Sequence, residues 1–108
     1  MPVPREPNPS LTSLRDRLEE IDRAIVLLVA ARVEAAGLAI AVRSQADGSL
    51  TDPAQEEVVV HRARRWAEQQ GLTPALVESV FRMMIEAGKA RSVIPLRSPT
   101  KAVAPSPT

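Results

Sequence analysis

Residues 11–43, LTSLRDRLEEIDRAIVLLVAARVEAAGLAIAVR, contain no proline, and this stretch decides the fold. Apolar side chains recur at Leu14, Leu18, Ile21, Ile25 and Leu28 in alternating steps of four and three, the spacing of one face of an α-helix. Ser10 or Thr12 can cap its start. At 1.5 Å per residue such a helix runs ~50 Å, whereas a folded chain of this size has a radius of gyration near ~13 Å. Much of the helix would protrude unless a second copy covered it, so a homodimer is expected.

Working outward, Ser44 to Thr51 reads as a polar loop with a turn at Asp47-Gly48. Asp52-Pro53-Ala54-Gln55 then opens a second helix, with an N-cap carboxylate, proline at the first helical position and glutamine at N3. Gly71 ends it in the C′ position and Leu72 follows as the usual apolar C″ contact. Thr73-Pro74 opens a third helix whose apolar face is Val77, Val80, Phe81, Met84 and Ile85, and Pro95 is expected to stop it. No segment alternates with period two. The fold class expected is all-α, with one long helix and two shorter ones.

Of the ten prolines, four precede residue 10 and four follow residue 94. The chain is therefore expected to divide into a disordered Pro-rich tail at 1–10, a helical domain at 11–94 and a disordered Pro/Ser/Thr-rich tail at 95–108. With 108 residues, 44% of them apolar, one hydrophobic core is the natural expectation. Trp66 and Phe81 are the whole aromatic content, so that core must be aliphatic.

The same composition excludes several kinds of chemistry. A formal charge of +1 is too balanced for a protein that neutralises phosphates along a nucleic acid. The absence of cysteine removes thiolate nucleophiles and sulfur-ligated metals, and the lone His61 makes a zinc site unsupported. The N-terminus lacks the apolar core of a signal peptide and no run approaches ~20 uncharged apolar residues, so a cytoplasmic protein without a membrane partner is expected. No metal or cofactor is called for.

What remains is a set of charges that a solvated surface does not explain. Arg32 continues the series 14, 18, 21, 25, 28 by a further step of four and so falls on the apolar seam. A guanidinium there either meets an anion in bidentate geometry or snorkels over Ala35 and Ala36 or pairs with a glutamate. Arg43 lies eleven residues on, ~20° around and ~16 Å along, so it shares Arg32's face. Arg15 is ~25 Å and ~100° away on the same helix, and only an antiparallel partner helix would deliver it to the same site. The plainer alternative pairs Arg15 with Glu19. Glu56, in the first turn of the second helix, suits the macrodipole or serves as a hydroxyl acceptor. His61, Arg62, Arg64 and Arg65 read as a solvated basic run, and Trp66 as a packing residue. Gly37 and Gly88 cost helix stability, which points to close backbone approach at both.

From Leu11 to Ser92 this arrangement resembles the all-helical (AroQ-type) chorismate mutase family. The carriers are Leu14-Arg15 with Ile21-Asp22, Leu27-Leu28-Val29-Ala30-Ala31-Arg32, Asp52-Pro53-Ala54-Gln55-Glu56, and Gly71-Leu72-Thr73-Pro74 leading to Val80-Phe81 and Met84-Ile85-Glu86. The segment Arg62 to Glu68 with Gly71-Leu72 looks like the isochorismate-pyruvate lyase branch. The resemblance implies an intertwined homodimer, a dicarboxylate substrate and the Claisen rearrangement of chorismate to prephenate, which needs no cofactor. It also implies roles by position: Arg32 and the second copy's Arg15 as carboxylate clamps, Arg43 as donor to a carboxylate and the ether oxygen, Glu56 as acceptor from the ring hydroxyl, and Asp52 beside that hydroxyl.

Three positions depart from the pattern. Gln55 stands where many mutases carry an arginine, Gly88 where a serine contributes to binding, and Ser92 where a glutamine or glutamate meets the ether oxygen. Arg91 is one position from the last. A missing preorganised donor costs ~10² to 10³ in rate, so low mutase activity is implied. Two enzyme alternatives stay open, an isochorismate-pyruvate lyase and an aminodeoxychorismate mutase. So does a non-catalytic helical dimer that regulates or binds a larger partner enzyme.

Overall fold

The computed structural model describes residues 10–92 and places in them three helices, α1 over Leu11–Asp47, α2 over Pro53–Gln69 and α3 over Pro74–Ser92, with no strand among the described residues. The tails expected at 1–10 and 95–108 and the stop at Pro95 fall outside the described residues, apart from Ser10. The chain divides into two units between Ala30 and Ala31, within α1.

In the first unit the helix begins where a side chain can replace a missing backbone acceptor. Ser10 Oγ accepts from Ser13 N at 3.0 Å, so Ser10 rather than Thr12 is the cap. Glu19 pairs with Arg23, at 3.7 Å, and not with Arg15. The apolar seam is exposed, from 41% at Ile21 to 70% at Leu28.

The second unit begins on the remainder of α1. This helix continues through Ser44–Asp47, four residues beyond the expected end, because nothing there breaks it. It closes at Gly48, whose φ of 80° is left-handed and whose amide donates to Ser44 O at 2.7 Å. By length and composition α1 is also apolar enough to cross a membrane, since Arg32 and Glu34 are the only charges between Ala24 and Val42. The sequence criterion of an uncharged run passes over that feature.

The termini of α2 follow their local chemistry. Asp52 Oδ1 accepts from Gln55 N at 3.2 Å, and Pro53 fills the first helical position. At the other end Leu72 N donates to Ala67 O and Gly71 N to Glu68 O, with Gly71 at φ 72°, which is the Schellman pattern. Thr73 O receives the amides of Leu76 and Val77 at the start of α3.

The core of this unit is small and aliphatic: Ile40 from α1, with Val59, Val60, Ala63 and Ala67 from α2. Ala63 is fully covered, and α2 packs on α3 along this face. Contrary to the packing expected of it, Trp66 is 51% exposed, with the Arg62 guanidinium 5.4 Å from its ring centroid. Where α1 meets α3 the backbones come close: a Cβ at Gly88 would lie 2.8 Å from Ala36 Cβ, and one at Gly37 would lie 3.2 Å from Arg91 Cγ. Both glycines thus sit at close approaches. Outside the core, Glu78 accepts from Arg64 at 2.6 Å and Arg82 at 2.8 Å, and Arg82 reaches Glu57 at 3.2 Å, tying α3 to α2.

Two outcomes follow from these contacts. Gly88→Ala gains about 1 kcal/mol of helix propensity but forces Ala36 aside, a strain of about 1–3 kcal/mol, so thermal stability should fall. Adding Ala36→Gly should restore it, as calorimetry would register. Arg82 first, and then Arg64, hold the Glu78 carboxyl below its ordinary value of 4.5. A depressed folded pKa stabilises above the unfolded pKa and is lost as pH falls through the folded one. The melting temperature should therefore drop on acidification below about pH 4.5, and less steeply in Glu78→Gln.

Candidate functional site

A cleft of about 190 Å³ opens within the second unit. Its apolar walls come from Ala36, Ala39 and Ile40 of α1, Leu50 of the α1–α2 loop, Val59 of α2 and Ile85 of α3. Against them stand Arg32, Arg43 and Lys89, the carboxylates of Asp52 and Glu56, and the amide of Gln55.

Each charged group is aimed by a neighbour. Arg32 is half-buried, with its guanidinium carbon 5.7 Å from the centroid of the Phe81 ring, and it has no ion-pair partner among the described residues. The face of an aromatic ring attracts a cation without neutralising it, so the charge remains for a ligand. Arg43 Nε donates to Ser49 Oγ at 3.3 Å, and Ser49 Oγ donates to Thr51 O at 3.3 Å, which fastens the arginine to the loop between α1 and α2. Asp52 is held by its capping bond.

Glu56 is paired with Lys89, whose Nζ lies 2.9 Å from Glu56 Oε2 and 3.1 Å from Glu86 Oε2. Contact with Glu56, and then with Glu86, raises the Lys89 pKa above its ordinary value. This amine is positively charged at neutral pH.

Of the residues singled out in the sequence, Arg32, Arg43, Asp52, Gln55 and Glu56 share the cleft. The other three do not line it. Arg15 is exposed in the first unit. Gly88 is buried against Ala36. Ser92, the last residue of α3, donates its hydroxyl to Lys89 O at 2.7 Å. His61 is exposed, as expected. Lys89 is the site residue that the sequence reading passed over. It continues the steps of four from Phe81 and Ile85, so a cation on the apolar stripe of α3 carried the same signal as Arg32 on α1.

The second unit is thus all-helical among the described residues, with a small cleft in which two arginines and a lysine stand with two carboxylates. The family description "Chorismate mutase type II" matches residues 14–93, and the chain belongs to that family. The T-protein of Enterobacter agglomerans is 32% identical over 75 residues, 69% of this chain and 20% of that protein. The chain thus spans about a fifth of that relative's length. A chorismate mutase of Methanocaldococcus jannaschii is 26% identical over 80 residues, 74% of this chain and 81% of that protein. No solved structure matches the chain.

The Phe81 contact is testable. Phe81→Leu keeps an apolar side chain but removes the ring face, worth about 0.5–1 kcal/mol at a partly exposed site. Anion affinity at the cleft should fall two- to fivefold, measured by titration calorimetry, while Phe81→Tyr should keep it.

Proposed function

We propose that this protein is a chorismate mutase that converts chorismate to prephenate by an intramolecular Claisen rearrangement, in the cytoplasm, on the route to aromatic amino acids or related compounds. The observation that carries this reading is the convergence of Arg32 and Arg43 with Glu56 on one small cleft. The family membership supports it, as does the relative named chorismate mutase.

The chemistry matches what the cleft offers. The reaction is unimolecular: one C–O bond breaks while one C–C bond forms, with no proton transfer and no covalent intermediate. An enzyme accelerates it by holding the reactive conformer and stabilising negative charge that grows on the ether oxygen. In the proposed arrangement Arg32 clamps one carboxylate, and a second copy of the chain supplies Arg15 for the other. Arg43 donates to a carboxylate and to the ether oxygen. Glu56 accepts from the ring hydroxyl, and Asp52, at the helix entrance, lies beside it.

Gln55 contributes a neutral amide where a further cation would tighten the clamp. Ser92 spends its hydroxyl on Lys89 O, so the ether oxygen receives one donor rather than two. A slow mutase is the consequence. The homodimer is part of the proposal, because Arg15 and the exposed seam of Leu14, Leu18, Ile21, Ile25 and Leu28 both call for a second copy. Gly88, in this account, sets helix spacing around the bound substrate rather than touching it.

Incubation of the purified protein with chorismate, and separately with isochorismate, tests the assignment by its products. Prephenate is expected; salicylate with pyruvate would make the protein a lyase, and no turnover of either would overturn the chorismate mutase reading and leave the amino-substituted substrate or the non-catalytic dimer. Arg32→Ala should lower kcat/KM by about 10²-fold or more, with the helical circular dichroism retained. Ser92→Gln should raise kcat about tenfold by restoring a donor at the ether oxygen.

A further inference from the structure

Glu56 offers the cleft an acceptor, but it also offers a full negative charge to a ligand proposed to carry two. In a partly desolvated site that repulsion is larger than in bulk water. Gln55, its neighbour on α2, has no charge with which to offset it. The offset comes instead from α3. Lys89 Nζ is 2.9 Å from Glu56 Oε2, and the two side chains are only 24% and 22% exposed. Glu86, the other carboxylate on Lys89, is 70% exposed and correspondingly screened. Lys89 itself lines the cleft with Arg32 and Arg43.

We propose that Lys89 is the positioning residue that makes Glu56 compatible with a dianionic ligand. It cancels the carboxylate's charge at the cleft wall and holds Oε2, leaving Oε1 to accept from a ring hydroxyl. The inference rests on the mutase reading for the identity of the ligand, and on the ion pair for its mechanism. Lys89 is the third cation of the cleft and stands on α3, next to the glycine that lets α3 approach α1.

The test is a double-mutant cycle on the full-length protein, with chorismate as the probe and both kinetics and calorimetric Kd as readouts. Lys89→Met keeps the aliphatic stem and removes the charge. It should raise KM and Kd about tenfold with kcat changed less than threefold. Lys89→Arg should hold both near wild type. Glu56→Gln combined with Lys89→Met removes both charges, and should bring Kd back to within about threefold of wild type, because the isolated carboxylate is the source of the defect. A merely structural lysine would show no such recovery, since the double variant would bind as weakly as Lys89→Met. An unchanged Kd in Lys89→Met, or an unrelieved defect in the double variant, overturns the proposal. Chorismate bound by the wild-type protein without turnover would sink the mutase reading alone, with the Lys89 cycle then decided on Kd. No binding by the wild type would overturn both.

Discussion

The missing side chain at Gly88, where a Cβ would lie 2.8 Å from Ala36 Cβ, sets how closely α3 approaches the C-terminal part of α1, and the cleft depends on that approach. A glycine inside a helix costs about 1 kcal/mol relative to alanine, and α3 accepts the cost at the position where any side chain would collide. What it gains is placement. Ile85 and Lys89 flank Gly88 and reach the same cleft as Arg32, Arg43 and the first turn of α2. Gly37 repeats the device one residue from Ala36, where the stem of Arg91 lies across the backbone.

Within that frame, each charge in the cleft is held by something other than the ligand it would meet. Arg32 rests on the ring of Phe81, Arg43 on the hydroxyl of Ser49, Asp52 on the backbone of its own helix, and Glu56 on Lys89. These supports differ in kind. The aromatic face and the hydroxyl orient a cation and leave its charge unspent, whereas Lys89 neutralises the carboxylate it orients. In the proposed mutase the cleft would therefore be positive at Arg32 and Arg43, which would grip a dianion, and neutral at Glu56, which would accept a hydroxyl. A reaction without nucleophile or proton transfer depends on fixed charges of this sort, since electrostatic preorganisation is the principal lever left to the protein.

Much of this was legible in the sequence because it is local. The period of α1, the Asp52-Pro53 start of α2, the Gly71-Leu72 finish and the Thr73-Pro74 start of α3 are each decided within a few residues, and the structure agrees with them. The end of α1 was misplaced for a local reason as well. Asp47-Gly48 does mark a turn, but its glycine is the C′ residue of a helix that runs up to it, not the middle of a longer loop. The convergence of Arg32 and Arg43 was visible from helical geometry alone. Contacts across helices were not. That Gly88 requires close approach could be read from its cost, yet the identity of its neighbour could not. Lys89 is a charge interrupting the apolar stripe of α3, and its partner Glu56 lies on another helix, so the stripe alone does not reveal it.

The remaining constraint lies in the first unit. Leu14, Leu18, Ile21, Ile25 and Leu28 are between 41% and 70% exposed, all on one seam of α1. Covering a large aliphatic side chain is worth about 1.5–3 kcal/mol, so five per chain exceed what rotamer ordering takes back, at about 0.5–1 kcal/mol each. In the proposed homodimer the same stretch carries Arg15. Association and completion of the cationic set would then be one event: the surface that drives two copies together would also deliver the second copy's Arg15. Stability and activity would share a concentration dependence, because the folded state competent for the dianion would be the dimeric one.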